Sequence, residues 1–217
     1  TMNTENKTNK KKIEILVNYY NIKNYDKVIE EANRMLKKNP NIDILWNLLG
    51  LSYQQKRDYD DAEKNFIRTL QVNPENISAI NNLANNYKYI KNFNKADEYF
   101  KKALERNPKY VNALVNYGNL KFELNKFSEA LNYLNQALEI NDKLISVHTN
   151  LALVHQSLGD FKKSLFHLNK INELKPEFTR ADKMISALIN YKDDDNHQKL
   201  MLNKLNNLSL SDEQKVF

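Results

Sequence analysis

The sequence has no cysteine, and only three glycines and four prolines in 217 residues. Without cysteine there is no disulfide, no thiolate nucleophile and no Cys-based zinc site, and a cytoplasmic setting is expected. So little glycine and proline leaves few turn residues for hairpins or a crossover sheet, whereas the plentiful Leu, Lys, Ala and Glu suit helices, so the expected class is all-α. No run of 18 apolar residues occurs, and no membrane partner is expected. The opening TMNTENKTNKKK lacks the apolar stretch of a secretory signal, and residues 1–12 read as a basic polar tail. Arginine is scarce too, at 5 of 33 basic residues. The net charge of +6 lies in two modest patches, residues 1–42 with 9 basic against 5 acidic groups and residues 77–110 with 7 against 3. Nucleic-acid binders concentrate Lys and Arg along one face, so no nucleic acid is expected as a partner.

What the sequence does have is a period. Pro40, Pro74 and Pro108 stand 34 residues apart, Asp142 takes the next place and Pro176 the one after. Asn39, Asn73, Asn107 and Asn141 precede them, with Lys175 last. Small residues recur at Gly50, Ala84, Gly118 and Ala152, and again at Ala62, Ala96, Ala130 and Ser164. Aromatics recur at Tyr25, Tyr59, Phe93, Phe127 and Phe161, and large apolar residues at Phe66, Phe100, Leu134 and Leu168. Within one repeat, Trp46, Leu49, Gly50 and Tyr53 form one helical stripe, and Ala62, Phe66 and Leu70 form a second. The polar KRDYD between them predicts a short turn, so each repeat is a helical hairpin. Gly50 and Ala62 let backbones approach while Phe66 fills the space toward a neighbour. Ala96→Leu is expected to cost roughly 1 to 3 kcal/mol by overpacking, and Phe100→Ala roughly 3 to 5 kcal/mol by leaving a cavity.

These residues resemble the tetratricopeptide repeat family, whose pattern is W-x2-L-G-x2-Y, then A-x3-F, then P. Residues 43–76 match at Trp46, Leu49, Gly50, Tyr53, Ala62, Phe66 and Pro74. Residues 77–110 and 111–144 match with Ile80 and Leu114 in place of Trp and Lys121 in place of Tyr, and residues 145–178 carry His148 and His155 there. The repeat at 9–42 is recognised by Tyr19, Val28 and its spacing. The resemblance implies five repeats over 13–178, a right-handed superhelix of antiparallel helix pairs, and a concave groove for a protein or extended peptide. Residues 179–207 read as a degenerate sixth hairpin with a helix near 196–206, and Ser211 with Gln214 as a capping signature opening a truncated helix at 208–217. The stretch from Ala181 to Phe217 looks like the end of the repeat region of bacterial sulfotransferases that carry such repeats. That resemblance implies a non-catalytic amino-terminal part of a larger enzyme; a self-association or scaffolding module, or part of a glycosyltransferase, are the alternatives.

No catalytic constellation is found, and no cofactor or metal is expected. His148 and His155, seven apart on one helix face, read as repeat core residues without a matching carboxylate, and His167 and His197 read as isolated. DDDN at 193–196 lacks the glycine and terminal glutamate of a calcium loop and reads as a solvated turn. The family resemblance places Asn47, Asn81, Asn82, Asn85, Asn112, Asn116, Asn119 and Asn150 on the groove, an amide-rich and nearly uncharged wall. Asn82, Asn116 and Asn150 recur at one position, similar to the asparagine ladder of the O-linked N-acetylglucosamine transferase repeats, where amides hold a peptide main chain. A low-GC codon bias toward Asn is the other reading of that column. Leu51, Phe122 and Leu153 are the expected apolar contacts beside it, and the uncapped end offers a route to homo-oligomers.

Overall fold

The computed structural model describes residues 2–189, 196–211 and 214–215, with side chains from residue 9 onward. Among these residues there are twelve helices and no strand. Helices α1 (Met2–Asn21) and α2 (Tyr25–Leu36) form the first pair, α3 (Asp43–Gln55) and α4 (Tyr59–Val72) the second, α5 (Ile77–Tyr89) and α6 (Phe93–Arg106) the third. Then follow α7 (Val111–Glu123), α8 (Phe127–Ile140), α9 (Ile145–Ser157), α10 (Phe161–Leu174), α11 (Arg180–Ser186) and α12 (Asn196–Asn207). The fold is all-α, as the composition predicts. The polar residues 2–12 belong to α1, which starts at Met2, because a stretch with four Lys and no Pro or Gly has nothing to stop a helix.

The chain divides into two compact units, Thr1–Ala113 and Leu114–Phe217. In the first, each helix packs on the next from α1 to α6, and the first helices α1, α3 and α5 also touch in that order. Leu16, Val28, Ala32, Leu36, Leu45, Leu48 and Leu49 form one core cluster, and Ile80, Ala103 and Ala113 centre another. In the second unit α9 packs on α8 and α10, α11 on α10, and α12 on α11. There Ala152, Leu168, Ile171, Ala181 and Ile185 are the buried cluster.

Tyr25, Tyr59, Phe93, Phe127 and Phe161 each open a second helix, so the aromatic column marks one structural position. The residue before them caps it: the side chains of Asn24, Asp58, Asn92 and Asp160 each accept from the backbone N–H three residues on, whereas Lys126 makes no cap hydrogen bond. One residue earlier the backbone is left-handed, at Lys23, Arg57, Lys91, Asn125 and Gly159. At the other end of the repeat, Asn39, Asn73, Asn107 and Asn141 accept from the N–H two residues on at 3.0 to 3.2 Å. The turn therefore survives at Asn141, where Asp142 replaces proline, because the amide rather than the pyrrolidine ring ties it. This run of Asn is structural.

The small column is dictated by contact. A Cβ at Gly50 would lie 2.5 Å from the Phe66 ring, and one at Gly118 would lie 2.8 Å from Leu134 Cγ. Phe66, Phe100 and Leu134 are fully buried, as are Ala62, Ala96 and Ala130. The opposed sizes read from the sequence are the two sides of one helix crossing.

Candidate functional site

In the first compact unit, the expected groove residues come from α3 and α5, which lie side by side. Asn81 Nδ2 donates to Asn82 Oδ1 at 3.4 Å, and Asn82 Nδ2 donates to Asn47 Oδ1 at 3.1 Å. The three amides thus form a directed chain across two helices. Asn47 and Asn82 are half-buried, but Asn81 is only 3 % exposed and stands behind the other two. Asn85, one turn on, has a buried Oδ1 without a hydrogen-bond partner among the described residues. Asn47 and Asn82 bond each other through one donor and one acceptor, and an amide group has two donors and an acceptor with two lone pairs.

Beside this chain lies a groove of about 610 Å³ lined by Ile13 and Val17 of α1 and by Ile42 and Ile44 at the start of α3, with Lys10, Glu14 and Asn18 around it. Ile44 sits one turn before Asn47, so apolar and amide surfaces adjoin. The sequence reading missed these four residues as site candidates; the signal was there in Ile13 and Val17, four apart on one helix face. The expected contact Leu51 is half-buried on the same helix.

In the second unit, Asn116 and Asn119 of α7 and Asn150 of α9 are half-buried, as are Phe122 and Leu153. Asn112 belongs to the first unit, is exposed, and reaches the Tyr110 hydroxyl at 3.5 Å. Lys121, in the column that holds Tyr53 and Tyr87, is 4 % exposed; it pairs with Glu129 at 2.8 Å and lies 4.7 Å from the Tyr117 ring centre.

Two polar clusters correct the sequence reading of the histidines. His167 is not isolated: its Nδ1 lies 2.9 Å from Nδ1 of His148, and its ring stacks on His155 at 5.8 Å. His148 Nε2 donates to the Asp142 carbonyl at 2.8 Å, which leaves His148 Nδ1 as acceptor and makes His167 Nδ1–H the donor. Burial, then the neighbouring His148 and His155, pull the pKa of His167 down to about 4. Burial also lowers His155, against the opposing pull of Asp160, whose Oδ2 is 4.0 Å from its Nδ1. The sequence hid this because His148 and His167 sit on different helices, 19 residues apart.

His197 is not isolated either. Its Nε2 lies 3.1 Å from Asp182 Oδ1, which also accepts from Asn172 Nδ2 at 2.9 Å. Lys204 Nζ donates to Asp182 Oδ2 at 2.7 Å and to Asn172 Oδ1 at 3.2 Å. All four are buried, and together they tie α10, α11 and α12. Residues 193–195 of the DDDN stretch lie outside the described residues. So do 212, 213, 216 and 217 of the expected helix start at 208–217, although the Ser211 N–H does donate to Gln214 Oε1 at 2.8 Å. Among the described residues no group of three or more His, Asp or Glu is placed to hold a metal ion, and no helix is long and apolar enough to cross a membrane.

Models of the tetratricopeptide repeat match residues 41–109 and 77–143, and a further one matches 145–178. No curated protein matches the chain. Among solved structures, pilF of Pseudomonas aeruginosa is 14% identical, covers 97% of this chain and 96% of its own, and superposes with a TM-score of 0.74. A thermophilic TPR protein of Thermus thermophilus, TTC0263, is 19% identical over 82% of this chain and 97% of its own, with a TM-score of 0.73. YrrB, described as a TPR protein with an unusual peptide-binding site, is 16% identical over 82% of this chain and 92% of its own, with a TM-score of 0.57. At these identities the likeness is one of fold.

Proposed function

Because this chain belongs to the tetratricopeptide repeat family, a scaffold of protein interaction, we propose that it is a recognition module binding an extended peptide on the first-helix wall of its first compact unit. The observation that carries this reading is the amide chain Asn81, Asn82, Asn47 running beside the apolar Ile13, Val17, Ile42 and Ile44 groove. Amides offer donor and acceptor to a main chain whatever its side chains, and the isoleucines take an aliphatic side chain. Two amide hydrogen bonds contribute about 1 to 3 kcal/mol net, while micromolar affinity needs about 8 kcal/mol. The apolar groove supplies the remainder.

The test starts from peptides selected for binding to the whole chain. Asn47→Ala with Asn82→Ala is expected to weaken them about tenfold by titration calorimetry, with the helical circular-dichroism spectrum at the binding temperature unchanged. Affinity equal to the parent's would retire the wall. In the second unit Asn116 and Asn150 continue the column of Asn82, and they are tested by their own pair of alanine variants.

The finer half of the proposal, a larger parent sulfotransferase, is supported by the resemblance of Ala181 to Phe217 alone. Sequence beyond Phe217 tests it: a phosphosulfate-binding loop is expected, and a stop codon removes the idea. Self-association is the second reading, favoured by α12, whose Leu200, Leu202 and Leu205 are 41%, 54% and 39% exposed. Sedimentation is expected to show a dimer that Leu202→Glu dissolves; a monomer at all concentrations would dismiss it.

A further inference from the structure

Along the edge of the first compact unit where each first helix turns into its second, one position repeats an uncommon backbone. Lys23, Arg57 and Lys91 have φ of 62°, 63° and 61°. There a side chain costs about 1 kcal/mol relative to glycine. In the second unit the same position holds Asn125 and Gly159, the two residue types that tolerate it best. The first unit thus places a long cation at each of three successive turns, against backbone preference. It also has 20 Lys and Arg against 14 Asp and Glu, while the second has 13 of each, so the whole net charge of +6 lies there. Two acidic groups on that edge are already engaged: Asp26 pairs with Lys56, and Asp58 caps α4. Aromatic rings lie between the cations. Tyr59 and Tyr89 stack at 5.7 Å with Tyr89 50% exposed, and Lys91 Nζ lies 5.6 Å from the Phe93 ring centre.

We propose that this turn edge docks an acidic segment of a partner protein, its carboxylates meeting Lys23, Arg57 and Lys91 and its apolar atoms meeting Tyr89. The edge is a different face from the amide wall, and it calls for a different chemistry. Charge complementarity selects the occupant: a cation at every turn matches a run of Asp and Glu. The ring faces engage one another and lysine ammoniums, which favours an acidic polypeptide over single-stranded nucleic acid, whose bases need rings to stack on.

Fluorescence anisotropy of the whole chain with fluorescein-labelled decaglutamate tests this, at low and at physiological ionic strength. The variant K23G/R57G/K91G removes the charges while relieving the left-handed backbone. It is expected to bind about tenfold more weakly and to melt at a higher temperature than the parent. K23Q/R57Q/K91Q, which keeps side-chain length, is expected to lose the same affinity without that rise. Undiminished binding by both variants, or no binding by the parent, would overturn the proposal. So would an oligothymidylate of equal length binding more tightly than decaglutamate. Asn47→Ala with Asn82→Ala leaves decaglutamate binding unchanged, which keeps failure of the edge distinct from failure of the wall.

Discussion

A neutral imidazole that donates from one nitrogen must accept at the other, and in the second compact unit that rule fixes a chain from His167 through His148 to the Asp142 carbonyl. A second proton on His167 leaves its Nδ1–H bond in place but sets a buried charge beside two other imidazoles. His167 is held near 4, below the ordinary value of about 6.5 in an unfolded chain, so the neutral form belongs to the folded state. Its contribution is complete above about pH 6.5 and is lost as pH falls toward 4, since the unfolded chain takes the proton first. The groups facing it are His148, His155 and Phe166, with Asp160 and its partner Lys163 at the rim. Unfolding free energies from urea titrations between pH 7 and pH 4 are expected to fall by on the order of 2 kcal/mol, and H167L is expected to flatten that slope. A parent curve as flat as the variant's would mean that the cluster carries no such linkage.

At the scale of elements, the second helices share one entry, and α8 breaks it. Four of the five caps named above accept a backbone N–H, and Lys126 stands where the fifth belongs. Lys126→Asp is expected to raise stability by about 1 kcal/mol by supplying that acceptor and a favourable charge at the helix start. Thermal unfolding checks it, and an unchanged or lower midpoint counts against the cap. Gly50→Ala is expected to cost roughly 1 to 3 kcal/mol, because the new methyl meets the Phe66 ring. Adding Phe66→Leu is expected to recover part of that loss in a double-mutant cycle, since the clash belongs to the pair.

Those two elements also mark where the sequence is legible. Column spacing marked the small and the large positions, but it aimed Phe66 toward a neighbouring repeat, whereas its ring lies on Gly50 of its own hairpin. It placed the aromatics at one turn, though not at the first residue of each second helix. It could not show that Asn81 stands behind Asn82, nor that Ile13 and Val17 complete a groove with Ile42 and Ile44, since both depend on how neighbouring helices are seated. The histidine and aspartate clusters were illegible for the same reason: their polar members are brought together by two helices in the first case and by three in the second.

At the scale of the whole molecule, the last helix is held by charge more than by grease. Lys204 and His197 face inward on α12 while Leu200, Leu202 and Leu205 face out, and Asp182 is fully buried beneath them. Lys204→Met is expected to cost about 3 to 5 kcal/mol by stranding that carboxylate. Limited proteolysis checks it: α12 is expected to be clipped first in the variant, and cleavage as slow as the parent's would refute the clasp. Adding Asp182→Leu is expected to restore only part of that resistance, because Asn172 Nδ2 and His197 Nε2 lose their shared oxygen.

The second helices begin at 25, 59, 93, 127 and 161, without a residue gained or lost between them. Each amino acid advances a helix by about 100°, so a single deletion inside one hairpin would swing every later contact of that helix off its neighbour. Removal or duplication of a full hairpin leaves each facing surface matched. Such a chain can change length in whole modules far more easily than by one codon, and a library of shortened or lengthened variants is expected to fold only at those steps.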